Sequence, residues 1–335
     1  MTRTRKCWIA AGLAVALAAA AWVAAPYYYT WRAEKQLRAW LDQNDNALNL
    51  KWGSLHAAPW QPMVLRDVTI GWAVQPIVWA ESIEIHDFER NDRRLRGDVQ
   101  INDLQVLETG MQPPHSTNIV GVLTPLRGAT LATLAPNQFR ARWDYQADQD
   151  RFAFSLDLAQ PDAFDARVAI QLSQLEVAMA YLRSGEMATQ LGQGNAMPWA
   201  MTLFGKFGGV RLLGFETSIT DRGYMKRQIA LQKRYGYLVP PAVDASATLA
   251  SPDPRRETQF ADDIETQRQA CAKRTDLGLA DVRGACDAVA AFGAGRAPRI
   301  TLSARNDAGV SLAEMVSAMN NPADIIQRYA PVVSN

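Results

Sequence analysis

Arg3, Arg5 and Lys6 precede an uncharged run from Cys7 to Trp31, and this run constrains everything that follows it. Its apolar stretch from Trp8 to Ala25, at about 1.5 Å per helical residue, is roughly 27 Å long, close to the hydrocarbon thickness of a bilayer. The positive-inside rule puts the basic end in the cytoplasm, and Tyr27-Tyr28-Tyr29-Thr30-Trp31 matches the aromatic belt of the opposite interface. The run therefore predicts one transmembrane helix within residues 1–31 and an exported body. A cleaved leader is the rival reading, because Ala19-Ala20-Ala21 offers small residues for a cut. Against it, the apolar run continues through Trp22, Val23, Ala24 and Ala25, and Pro26 is a poor residue to follow a cut. An uncleaved anchor is the expectation, with Cys7 a thiol at the membrane edge.

The whole chain has a formal charge of +1, and without the three N-terminal cations the body is close to neutral. Nothing in it favours nucleic acid. With 48% apolar residues and 10 tryptophans, the body can bury a sizeable core. Its two cysteines, Cys271 and Cys286, fall in stretches that read as helices, Phe260 to Arg274 and Leu279 to Phe292, with Thr275-Asp276-Leu277-Gly278 as the turn. One disulfide stapling a helical hairpin is expected, which suits an oxidising compartment. Two separate buried thiols are the alternative; the spacing is no redox pair.

Between anchor and hairpin the chain alternates with a period of two, the mark of strands on a single-sided core. Val99-Gln100-Ile101-Asn102-Asp103-Leu104-Gln105-Val106 has alternation, a polar step of two residues, then alternation again. Ile170-Gln171-Leu172-Ser173-Gln174-Leu175-Glu176-Val177 repeats it position for position, and Ile83-Glu84-Ile85-His86-Asp87-Phe88 carries its first part. The pattern predicts bulged strands of one extended sheet. Further strands are expected over Met63 to Trp72, Ile77 to Phe88, Phe139 to Ala147, Arg151 to Ala159, Val210 to Ile219 and Arg299 to Arg305. Asp148-Gln149-Asp150 and the Arg90 to Arg94 link read as hairpin turns. Helices are expected over Ala33 to Gln43, Asp221 to Tyr235, Leu312 to Met319 and Ala323 to Tyr329. Pro240-Pro241 and Ser251-Pro252-Asp253-Pro254 bracket a loop.

The fold class is thus α+β and β-dominated: one N-terminal transmembrane helix, then an extended, curved, mostly antiparallel sheet with packing helices and a disulfide-stapled hairpin. Four segments follow: the anchor (1–31), a β-rich domain (32–250), the hairpin insertion (251–297), and a final strand with C-terminal helices of the same domain (298–335).

A search for chemistry finds no motif. His56, His86 and His115 are not paired with one another, a cysteine or an acid at metal-ligand spacing, and His86 reads as a solvent-side residue opposite Ile83 and Ile85. Asp42-Gln43-Asn44-Asp45-Asn46 fails as a calcium loop, with Ala47 at the sixth position and Gly53 at the twelfth, and reads as a helix C-terminal turn. Gly192-Gln193-Gly194 and Gly205-Lys206-Phe207-Gly208-Gly209 lack the setting of a phosphate cradle and read as loops. No nucleophile elbow is present. No cofactor, metal or enzymatic activity is expected, although a catalytic group assembled in space stays open.

The basic start, single anchor and aromatic exit, the helix Ala33-Glu34-Lys35-Gln36-Leu37, the strands Val64-Leu65-Arg66-Asp67-Val68-Thr69-Ile70 and Ile83-Glu84-Ile85, and the C-terminal Val310-Ser311-Leu312-Ala313-Glu314-Met315 through Asn321-Pro322-Ala323-Asp324-Ile325-Ile326 together resemble the AsmA-like and YdgA-like envelope proteins of Gram-negative bacteria. The resemblance implies an inner-membrane anchored periplasmic protein with a long curved sheet and, for larger members, phospholipid movement between membranes. Independently, a sheet with one apolar face needs a cover, and an uncovered strip can hold acyl chains. Val68, Ile70, Ile83, Ile85, Val99, Ile101, Val168 and Ile170 are the candidate lining, with ordinary core as their alternative reading. The near-neutral body shows no basic patch for anionic headgroups. The expected role is non-enzymatic envelope maintenance with phospholipid held in a groove. The alternative is an accessory factor that docks onto another envelope protein by its sheet edge or hairpin.

Overall fold

The computed structural model describes residues 22, 24–39, 41–42, 49–72, 75–91, 93–107, 117–120, 134–184, 196–235, 254–274, 278–318 and 323–335. Most of the apolar run, His115, the Pro240-Pro241 segment, Gly192-Gln193-Gly194 and the 43–48 part of the Asp42 turn lie outside the described residues. Among the described residues no helix is long and apolar enough to cross a membrane.

The period of two becomes one antiparallel sheet of twelve strands. They are β1 (Asn49–Lys51), β2 (Ser54–Ala58), β3 (Gln61–Trp72), β4 (Gln75–Arg90), β5 (Arg94–Val106), β6 (Thr117–Asn118), β7 (Gln138–Gln146), β8 (Arg151–Gln160), β9 (Phe164–Ser173), β10 (Arg211–Asp221), β11 (Arg299–Ser311) and β12 (Val332–Ser334). The order is β1-β3-β4-β5-β7-β8-β9-β10-β11-β12, with β2 also on β3 and β6 also on β5. Most strands pair with their neighbour in sequence, as in a meander; short connections join β3 to β4, β4 to β5, β7 to β8 and β8 to β9, while the links from β9 to β10 and from β10 to β11 carry helices. The expected turns are present: Asn91 N–H donates to Arg94 O at 2.9 Å, and Asp150 N–H to Ala147 O at 3.3 Å.

Eight helices accompany the sheet among the described residues: α1 (24–39), α2 (Glu176–Ser184), α3 (Ala196–Phe207), α4 (Tyr224–Tyr235), α5 (Pro254–Ala272), α6 (Val282–Gly293), α7 (Leu312–Ser317) and α8 (Ala323–Tyr329). Two depart from expectation. The repeat predicts strand from Ile170 through Val177, yet β9 ends at Ser173 and α2 begins at Glu176. Gly205-Lys206-Phe207, read as loop, is the last turn of α3. The hairpin is α5 against α6, joined by the Cys271–Cys286 disulfide with Cα atoms 5.8 Å apart. α6 buries Ala285, Cys286, Ala288 and Ala290, starts on the Asp281 carboxylate, which accepts from Gly284 N–H, and also touches β11 and β12.

The repeated polar step corresponds to a backbone kink. Asp103 and Gln174, equivalent in the two copies, have φ of 51° and 58°, and Asp67 in β3 has 53°. Such left-handed residues are costly except where a short polar side chain eases them. In β4, the partial copy carries a register shift between Ile85 and Asp87, so that His86 is the extra residue. The register aligns Asp67, Glu81 and Asp103, and at this line the apolar positions step from Leu65, Ile83 and Ile101 to Val68, Ala80 and Leu104.

Gly97 in β5 lies opposite Trp143 in β7, and the indole covers it so closely that any Cβ there would overlap the ring. Gly97→Val is expected to displace Trp143 and cost about 2 kcal/mol. Urea unfolding followed by tryptophan fluorescence measures both effects.

Candidate functional site

Because paired residues in an antiparallel sheet share a face, the register sorts β3 to β11 into two surfaces. One is apolar and arranged in cross-strand rows. At one end Leu95, Tyr145, Phe152, Leu172 and Leu212 face one another, and the next row is Gly97, Trp143, Phe154, Ile170 and Phe215. Then come Ile85, Val99, Ala141, Leu156, Val168, Thr217 and Leu302, followed by Ile83, Ile101, Phe139, Leu158, Ala166, Ile219 and Ile300.

The helices cover this surface at its ends. Tyr145, Leu175, Ala178, Met179 and Val210 form one buried cluster with Leu95, Phe152, Leu172 and Phe207 around it. Val120 and Ala163 form another beside Phe139, Leu158 and Tyr224. A third joins Ala304, Val310 and Tyr329 with Leu212 and Phe215. Between them the middle rows are open: Val99, Ile101 and Leu156 are half-buried, while Val168 is 36% and Ile219 41% exposed. Two apolar residues this exposed on adjacent central strands are uncommon for a closed core.

Of the residues nominated from sequence, Ile83, Ile85, Val99, Ile101, Val168 and Ile170 fall on this one surface. Ile70 is half-buried opposite Val78, beyond the kink. Val68 is fully buried opposite Ala80 and is ordinary core, not lining. Leu156, Ile219, Ile300 and Leu302 also belong with the middle rows, outside the lining expected from sequence. Their strands were legible, but only the register shows that they face Val168.

The opposite surface is polar and its charges are paired across strands. Arg140 grips Asp98 with two bonds of 2.8 and 2.7 Å, and Arg94 grips Asp144 at 2.9 and 2.8 Å. Arg142 and Arg167 reach Asp157, and Arg222 reaches Asp165. Asn102 joins Ser82 and Glu84, while His86 approaches Glu84 at 3.6 Å. A shallow depression of about 450 Å³ here is lined by Arg140, Arg142, Arg167 and Arg299 beside Asp157 and Asp165, so its cations are largely answered by acids. Among the described residues no three His, Cys, Asp or Glu side chains gather to hold a metal ion.

The Arg140 guanidinium holds the Asp98 carboxyl below its usual range, as Arg94 does for Asp144. A carboxylate with a depressed folded pKa stabilises above its unfolded value, near 4, and loses that contribution as pH falls through the folded value. The stability gap between wild type and Asp98→Asn is therefore expected to be full at neutral pH and to close in acid below about pH 4. Thermal melts across that range measure it.

No protein-family model and no characterised protein matches the chain.

Proposed function

We propose that the protein is anchored in the bacterial inner membrane by residues 1–31, faces the periplasm, and holds the acyl chains of phospholipid along the open middle of its apolar sheet face. The observation that carries this reading is the row running through Val99, Leu156 and Val168, with Ile101 and Ile219 beside it, apolar on the central strands and partly open to solvent. Such a strip is costly to leave in water and suits a flexible hydrocarbon ligand. The paired charges behind it give the sheet a wet side, so the two faces support different surroundings. The role is holding or handing on lipid as part of envelope maintenance.

Lipid retained by the full-length chain after extensive detergent washing, counted by mass spectrometry, tests the reading. Near-stoichiometric acyl lipid is expected on the wild type. The double variant Leu156→Glu and Val168→Glu should hold roughly tenfold less, because a carboxylate on the strip disfavours hydrocarbon. Equal lipid on both would overturn the proposal.

A further inference from the structure

One end of the sheet gathers a second apolar surface. The register places Arg94, Gln146, Arg151, Ser173, Arg211 and Ser311 in a row, so the β4–β5 and β7–β8 turns lie at the same end as the start of α2 and the exit of α3. α2 sends Ala178, Met179 and Tyr181 into the core and leaves Val177 and Leu182 outside; α3 leaves Met201 and Phe204 outside, 72% and 47% exposed. Lys206 flanks them, its ammonium 5.9 Å from the Tyr181 ring.

α1 is pinned at this same end. Thr30 Oγ1 donates to Ala57 O and accepts from Ala57 N–H, and Trp22 stacks on Trp60 of the β2–β3 turn at 3.8 Å. By the β3–β4 register Trp60 lies near Phe88, towards the β4–β5 turn. Tyr27, Tyr28 and Trp31 are exposed on α1, and Arg90, Arg93 and Arg151 are exposed at the turns. The apolar run therefore ends where the sheet's aromatic-rich end begins. Five strand steps of about 4.8 Å separate β3 from β9, so α2 and α3 stand roughly 24 Å from the pinned helix.

We propose that the outer face of α2 and α3 rests on the surface of the bilayer that holds the anchor, as a second contact that fixes the sheet with this end against the membrane. The inference rests on the anchor being membrane-spanning. One helix alone leaves the sheet free to pivot; a second contact at this distance fixes which end of the sheet faces the lipid surface. Exposed Met201 and Phe204 beside Lys206, at an end that carries Arg90, Arg93 and Arg151 together with Asp148 and Glu176, suit the mixed apolar and polar boundary of a bilayer surface.

The test uses the full chain with Cys7→Ser, reconstituted into vesicles of phosphatidylethanolamine and phosphatidylglycerol. A spin label is placed through Met201→Cys or Phe204→Cys and, as control, Ser334→Cys on β12. Power saturation is expected to show both helix labels more accessible to oxygen than to a water-soluble nickel chelate, and the control the reverse. Three results would overturn the proposal: helix labels as open to nickel as the control, spin–spin broadening that reveals a second copy on the patch, or failure of the chain to enter vesicles. The depth reading does not depend on whether the strip carries lipid, so it fails or succeeds separately from the retention experiment.

Discussion

Replacing Asn137 by leucine is expected to destabilise the protein by roughly 2–6 kcal/mol, because two buried backbone groups lose their partner at once. β7 begins at Gln138, opposite Asn102, so β5 runs on past the end of its neighbour. Asn137 fills that place with its side chain. Its Oδ1 accepts from Leu104 N–H at 2.9 Å, its Nδ2 donates to Leu104 O at 2.9 Å, and its own carbonyl accepts from Asp103 N–H at 2.7 Å. The residue is 2% exposed, so water does not replace what leucine removes. Asn137→Asp keeps the acceptor for Leu104 N–H while losing the donor and burying a carboxyl. Urea denaturation of the two variants separates the two contributions: aspartate keeps the size and one acceptor, leucine keeps only the branched outline, and a near-neutral result for leucine would mean that this junction is not held by the amide.

Removing the disulfide is the second large effect. In the chain-entropy account, the 15-residue separation of Cys271 and Cys286 corresponds to about 3 kcal/mol lost in the Cys271→Ala, Cys286→Ala double variant. The hairpin depends on this link because α5 has no buried residues of its own, whereas α6 buries four. Loss of the bond should therefore release α5 first, while α6 keeps its contacts with β11 and β12. Hydrogen exchange should show amides of 254–272 deprotected well before those of 282–293. Simultaneous loss of both would mean that the helices unfold as one unit.

The divergent fate of the repeat shows where sequence reading stops. Asp103 and Gln174 occupy equivalent positions and adopt the same left-handed backbone. After Asp103 the chain stays extended, because β4 pairs with Leu104, Gln105 and Val106 and Asn137 closes the other side. After Gln174 no strand waits; Asp150, at the β7–β8 turn, accepts from Leu175 N–H at 2.9 Å, and Leu175 drops into the core at the head of α2. The local sequence specifies the kink, and distant residues decide whether a strand or a helix follows.

The same limit applies to the site. Alternation showed that Arg151 to Ala159 and Val210 to Ile219 have apolar faces, yet only register shows that Leu156 and Ile219 share theirs with Val168. The ion pairs behind them were likewise invisible: Arg140 and Asp98 are 42 positions apart and meet because β5 and β7 are neighbours. By contrast the disulfide was legible, because two cysteines on consecutive helices joined by a short turn have few other ways to meet.

Adjacent positions on opposite faces give the most direct test of the central claim. A photo-reactive benzoylphenylalanine at Val168 looks out from the apolar strip, and the same group at Arg167 lies on the polar face. After irradiation of cells carrying the full-length chain, acyl-lipid adducts are predicted at position 168 and not at 167. Adducts at neither position, or at both alike, would contradict a lipid-holding face.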